Sequence, residues 1–179
     1  MVTLNFSQFP VFTTNRLTLR QLTKDDKQNI FALRSDPQRN KYLEREPSKS
    51  IEDAISFIKK VDNNIKNNNS IYWIISLTTT KTVVGTICLY DFSIEKNSCE
   101  IGYELMTSFQ GQGIMTEAAE VVIKYAFQIL KLQKIVAFTH IENMNSIKLL
   151  TKFNFIQSKE ANKENPNSTI FTLSSHRLI

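Results

Sequence analysis

Apolar and polar positions alternate over 16–22, with Leu17 and Leu19 on one side, and predict a strand. Thr23 and Asp26 then form a capping box. Ile30, Phe31 and Leu33 follow at helical spacing, and Pro37 closes that helix. Ser50 and Asp53 repeat the capping pattern ahead of a single apolar stripe made by Ile51, Ala54, Ile55, Ile58, Val61 and Ile65. The Asn-rich stretch over 62–70 reads as a polar loop. Runs rich in β-branched and aromatic residues at 71–77 and 83–90, joined by a short Thr/Lys turn, predict a hairpin, and 99–106 alternates as a fourth strand.

From Met115 onward the period becomes helical. Met115, Ala118, Ala119, Val122, Ala126, Ile129 and Leu130 form one face of a helix of about five turns, opposite Glu117, Glu120, Lys124, Gln128 and Lys131. A short buried strand comes next at 134–140. Asn143 is a natural N-cap for a helix through Ile147, Leu150 and Phe153. Asn154 ends it, in the left-handed position usually given to glycine, and a last strand spans 168–175. These elements predict one mixed α/β domain over 1–179, without repeats or a linker.

Composition narrows the classes. Length 179, 41% hydrophobic and 22% charged residues describe an ordinary globular chain with room for a core. No apolar run approaches the ~20 residues needed to span a bilayer. The opening lacks a basic segment leading into an apolar one, so the expected location is cytoplasmic. Cys88 and Cys99 fall in strand-like runs and read as buried thiols. They and the scattered His140 and His176 give no metal-ligand spacing. The net charge of +5 suits a phosphate-bearing partner, but the lysines are scattered and no basic block with interleaved aromatics marks a nucleic-acid site.

The chemistry concentrates in "FQGQGIMTEA", 109–118. Two of only 4 glycines, Gly111 and Gly113, stand one residue apart at a strand-to-helix junction. The first amides of a helix lack internal partners and carry the positive end of its dipole. Glycines without Cβ let an anion approach them, and Gln110 and Gln112 add neutral donors. The segment reads as a pyrophosphate cradle. No Lys follows Gly113, which excludes a P-loop, and Thr116 stands where the dinucleotide fingerprint needs glycine.

Gln110 to Ala118 resembles the acyl-CoA-binding motif Q/R-x-x-G-x-G/A of the GNAT N-acetyltransferases. "TNRLTLRQLTKDD" (14–26), "CEIGYELMTSFQGQGIMTEA" (99–118) and "IENMNSIKLLTKFNF" (141–155) occur in order. Together they are similar to the Rim-type branch, which acetylates protein N-termini, and the resemblance covers nearly the whole chain. It implies a GNAT-like fold, a twisted mixed sheet of about six to seven strands flanked by helices. Met115 replaces the last Gly/Ala of the cradle, Asn154 replaces a glycine, and the tail after Phe155 lacks the branch's usual pattern.

The implied activity is acetyl transfer from acetyl-CoA to a primary amine, the N-terminal α-amine of a protein or peptide, by direct attack in a ternary complex. Two other functions stay open: acetylation of a small-molecule amine such as an antibiotic, polyamine or amino acid, and a non-catalytic CoA-binding or RNA-associated regulatory domain. By the resemblance, backbone groups near Leu105 and Met106 hold the pantetheine and polarise the carbonyl. Gln110, Gly111, Gln112, Gly113, Ile114, Met115 and Thr116 take the pyrophosphate, and Asn143 contacts the pantetheine amides. Ser146 donates the proton to the departing thiolate. Glu100 is the candidate base, with Glu160 and Glu164 as alternatives; His140 and Tyr103 read as structural. No metal is implied, and the branch's habit makes a homodimer plausible.

Overall fold

The computed structural model describes residues 4–43, 45–159, 162 and 165–177. The chain builds one mixed sheet flanked by helices. Its strands are β1 (Phe12–Thr13), β2 (Leu17–Gln21), β3 (Ser70–Leu77), β4 (Val83–Ser93), β5 (Ser98–Leu105), β6 (Lys134–His140), β7 (Ile156–Gln157) and β8 (Ser168–Ser174). Their order is β1-β2-β3-β4-β5-β6-β8-β7, eight strands rather than six to seven. The additional ones, β1 and β7, are two residues long, too short to leave a period in the sequence.

The helices are α1 (Lys27–Ser35), the single turn α2 (Pro37–Asn40), α3 (Ile51–Lys66), α4 (Ile114–Lys124) and α5 (Met144–Lys152). Both predicted capping boxes form, at Thr23/Asp26 and Ser50/Asp53. Pro37 ends α1 by opening α2, where its missing N–H costs nothing. The Asn-rich loop is shorter than expected. Asn63 and Asn64 stay helical because Val61 and Ile65 are buried, and that packing outweighs local propensity.

The long helix after the glycines departs from one continuous face. α4 passes into a π-type turn over Tyr125–Ile129. The widened turn rotates the helix face from there on, so Tyr125 and Phe127 are buried while Ile129, expected in the core, is 67% exposed. Asn154 adopts φ 61°, the left-handed conformation foreseen for it.

Tyr103, Ile101 and Cys99 alternate with Glu100, Gly102 and Glu104 across β5, as the period of 2 requires. Trp73 is buried between Phe9, Phe12 and Tyr125 and donates from Nε1 to the Pro10 carbonyl at 2.8 Å. On the other face Tyr72 meets Phe57 of α3 edge-on. β4 and β5 approach so closely at Gly85 that a Cβ there would collide with the Glu104 carbonyl.

The site begins where the sheet opens. β5 and β6 are its only parallel pair among the described residues, and their pairing runs from Ser98 to Glu100 and stops. β5 continues to Leu105 against β4 alone, and β6 continues to His140 against β8. The two strands therefore separate into a wedge.

Candidate active site

Backbone direction decides what the wedge exposes. The Met106 N–H donates to the Val84 carbonyl of β4 at 2.8 Å, so alternate residues Glu104 and Gly102 also turn their peptide groups toward β4. Tyr103 and Leu105 turn theirs the other way, into the wedge. Met106 differs from the sequence expectation in this respect. Its N–H serves the sheet, and its carbonyl accepts from the Phe109 N–H at 2.9 Å, which leaves the Leu105 N–H as the open backbone donor at the strand end.

The wedge leads to the glycine loop. Gly111 and Gly113 have φ 73° and 74°, conformations that L side chains rarely adopt. Gly113 is the N-cap of α4, and a Cβ on Gly111 would meet nothing within 4 Å. The N–H groups of both glycines make no hydrogen bond among the described residues. The result is a bare helix N-terminus facing open space. Gln110 and Gln112 serve the loop itself: the Gln110 side-chain amide donates to the Leu105 carbonyl at 3.3 Å and that of Gln112 to the Ser108 carbonyl at 2.9 Å. They brace the loop, a use of glutamine that spacing alone does not reveal.

A cleft of about 310 Å³ joins wedge and loop. Gln110, Gly111, Gly113, Ile114, Met115, Leu105, Asn143 and Ser146 all line it, with Tyr103, Tyr42 and Leu43. Gln112 and Thr116 are in the cradle segment but off this lining. The Asn143 Oδ1 accepts from the Ser146 N–H at 3.2 Å, capping α5, and its side-chain NH₂ keeps two donors. Ser146 is buried, and its hydroxyl lies 2.9 Å from the Tyr103 hydroxyl. Burial pushes Tyr103 up to about 12, so near neutral pH it holds its proton and can donate to Ser146. This pair joins residues 43 positions apart, and no local pattern announces it.

The carboxylates are arranged differently from the expectation. Glu104 is the only one lining the cleft among the described residues, and Arg45 holds it with two bonds of 2.7 Å. Arg45 also donates to the Asn40 Oδ1 at 2.8 Å, tying the segment before α3 to β5. Glu100 does not line the cleft. It sits three residues, about 10 Å of strand, before Tyr103. Burial raises its proton affinity, and the Tyr90 hydroxyl and Asp91 carboxyl face it. Tyr90 and Asp91 border a broader cleft of about 880 Å³ beneath α3. His140 stacks on Tyr42 with ring centroids 5.2 Å apart, and its Nδ1 accepts from the Glu142 N–H. Glu160 and Glu164 lie outside the described residues. Both cysteines are free, and no cluster of His, Cys, Asp and Glu that could hold a metal occurs among the described residues. No described helix is long and apolar enough to cross a membrane.

Comparison with known proteins gives the same region a family. Residues 16–156 match the family described as "Acetyltransferase (GNAT) domain". The "Uncharacterized N-acetyltransferase YoaA" of Bacillus subtilis (strain 168) is 35% identical over 147 residues, 82% of this chain and 83% of that protein. Among solved structures, a spermidine N-acetyltransferase from Vibrio cholerae in complex with CoA and spermine superposes with a TM-score of 0.79 at 20% identity. It covers 92% of this chain and 98% of its own. The ribosomal-protein-S5-alanine acetyltransferase from Vibrio fischeri gives 0.76 at 21% identity, over 93% and 97%.

Proposed function

This chain belongs to the GNAT acetyltransferase family and is an acyltransferase, and on that premise we propose that it moves the acetyl group of acetyl-CoA to the N-terminal α-amine of a protein or peptide. One observation carries the reading. A bare helix N-terminus, an unpaired strand edge and a hydroxyl pair converge on a single cleft.

The residues fit acetyl-CoA. The open space over Gly111 and the unpaired glycine amides suit a pyrophosphate. The inward N–H groups of Tyr103 and Leu105 would hold the pantetheine arm and the thioester oxygen, and the free NH₂ of Asn143 would add a further contact. Acetyl-CoA supplies an activated thioester. The amine nitrogen forms the new N–C bond as the C–S bond breaks. Ser146 gives its proton to the sulfur as it takes one from Tyr103, and water returns a proton to Tyr103. The proton lost by the amine passes through water to Glu100, whose burial makes it a better acceptor than an ordinary glutamate.

The acceptor class follows from the carboxylates. Glu104, the carboxylate on the cleft, is already held by Arg45, and Glu100 does not line the cleft. Such a site favours an amine that is substantially neutral before it arrives. An α-amine, with pKa about 7.7–8.0, meets that condition far better than a lysine at about 10.4.

The test is competition on one peptide carrying a free N-terminus and an internal lysine, read by mass spectrometry near neutral pH. Acetylation should fall first on the N-terminus. Equal or faster modification of lysine, or turnover of polyamines in preference to peptides, contradicts the N-terminal reading.

A further inference from the structure

Arg16 stands against the glycine loop, and the transfer chemistry above makes no use of it. Its Nε donates to Glu117 Oε2 at 2.7 Å, and its backbone N–H donates to Glu117 Oε1 at 2.9 Å. The Thr14 hydroxyl donates to that same oxygen. The Arg16 Nη1 reaches the Gln112 carbonyl at 3.0 Å. Its Nη2 makes no hydrogen bond among the described residues and lies 3.6 Å from where a Cβ on Gly113 would be. One guanidinium thus bonds the carboxylate below the cradle and a carbonyl of the cradle, and lies beside the cradle's N-cap.

The electrostatics give this arrangement a purpose. Glu117 is in the first turn of α4, where the helix dipole favours a negative charge. Burial pushes its proton affinity up, but the bonds from Thr14 and Arg16 outweigh this and keep it below the usual range, so it is ionised. The amides just before it are those suited to a pyrophosphate. An ionised carboxylate so near would repel that ligand unless a cation offsets it. The Gln112 carbonyl, if free to turn outward, would repel it as well.

We propose that Arg16 is a charge-balancing and positioning residue of the pyrophosphate site. It neutralises Glu117, holds the Gln112 carbonyl away from the ligand, and presents Nη2 to the phosphate. The proposal rests on the reading of 110–116 as the acetyl-CoA cradle.

Calorimetry with acetyl-CoA on the full chain tests it through a charge cycle. Arg16→Gln should weaken binding by about tenfold or more, because it leaves Glu117 uncompensated, and the deficit should shrink as salt rises. Glu117→Gln, which keeps an oxygen for Thr14 and the Arg16 backbone, should bind as well as the parent or better. The double variant should recover most of the Arg16→Gln loss, and Arg16→Lys, which keeps the charge, should stay within a few-fold of the parent. A folded Arg16→Gln protein that binds normally overturns the proposal. So do equal losses in both single variants without recovery in the double, since a simple brace behaves that way. If Arg16→Gln does not fold, Arg16→Lys decides: a tenfold loss there contradicts charge balance. A parent protein that fails to bind acetyl-CoA overturns the cradle reading itself, a different outcome from any of these.

Discussion

Replacing Gly113 with valine is expected to remove acetyl-CoA binding while the protein remains folded. Gly113 is the N-cap of α4 at φ 74°, ψ 5°. A β-branched residue is a marked outlier there, and the left-handed conformation costs roughly 1–2 kcal/mol for an L residue. That is a minor part of the typical stability of about 5–15 kcal/mol, so the fold should survive. The loop has two ways to relieve the strain. It can leave the left-handed conformation, which reorients the amides of Gly111 and Gly113, or it can stay and set a branched side chain against Arg16, since even a single Cβ falls 3.6 Å from Arg16 Nη2. Each route costs the phosphate its backbone partners. A hydrogen bond to a charged group contributes about 1.5–3 kcal/mol, so losing two weakens binding by roughly 10²–10⁴-fold. Calorimetry with acetyl-CoA, beside a thermal melt, measures both halves of the expectation. Unchanged affinity in a folded variant would mean that the glycine loop is not a phosphate cradle.

The second large effect is expected at Ser146. Asn143, not the serine hydroxyl, caps α5, so the hydroxyl is free for other work. Its partner is Tyr103, and both line the cleft. Ser146→Ala should lower kcat by about tenfold or more, the low end of the usual ~10²–10⁴-fold range or just below it. A thiolate leaving group, at pKa ~8.5, needs only modest help. Affinity for acetyl-CoA should barely change, because the contact acts as charge develops on sulfur. Tyr103→Phe should show a smaller fall in the same parameter, since water can return the proton to Ser146. If kcat holds in Ser146→Ala and only the melting temperature drops, the pair is a packing contact and the proton comes from elsewhere.

Features of the fold were legible in the sequence where their signal is local. Capping boxes at Thr23 and Ser50, the alternation of β5, the glycine pair ahead of α4 and the left-handed Asn154 are short-range features whose physics is complete within a few residues. Features in which one element depends on another were not. β1 and β7 exist only because β2 and β8 offer them an edge. The π-type turn that exposes Ile129 is tied to the packing of Tyr125 against Trp73 and Phe12.

In the site the same division holds. Gly111 and Gly113 were legible as a glycine turn opening a helix and Asn143 as a cap. The wedge that makes Leu105 open and Met106 closed depends on where β5 and β6 part. The Tyr103–Ser146 and Arg16–Glu117 pairs cross 43 and 101 positions of sequence. Type and strand face point to Glu100, but the fold puts it beside Tyr90 and Asp91, apart from the hydroxyl pair.

The measurement that bears most directly on the proposed transfer is thiol release from acetyl-CoA, measured with and without a short peptide bearing a free N-terminus. CoA thiol should appear only when the peptide is present, in a one-to-one ratio with acetylated N-terminus, and blocking the α-amine should abolish it. Tight acetyl-CoA binding with no amine-dependent thiol release would contradict the transfer reaction and leave a CoA-binding domain without that activity.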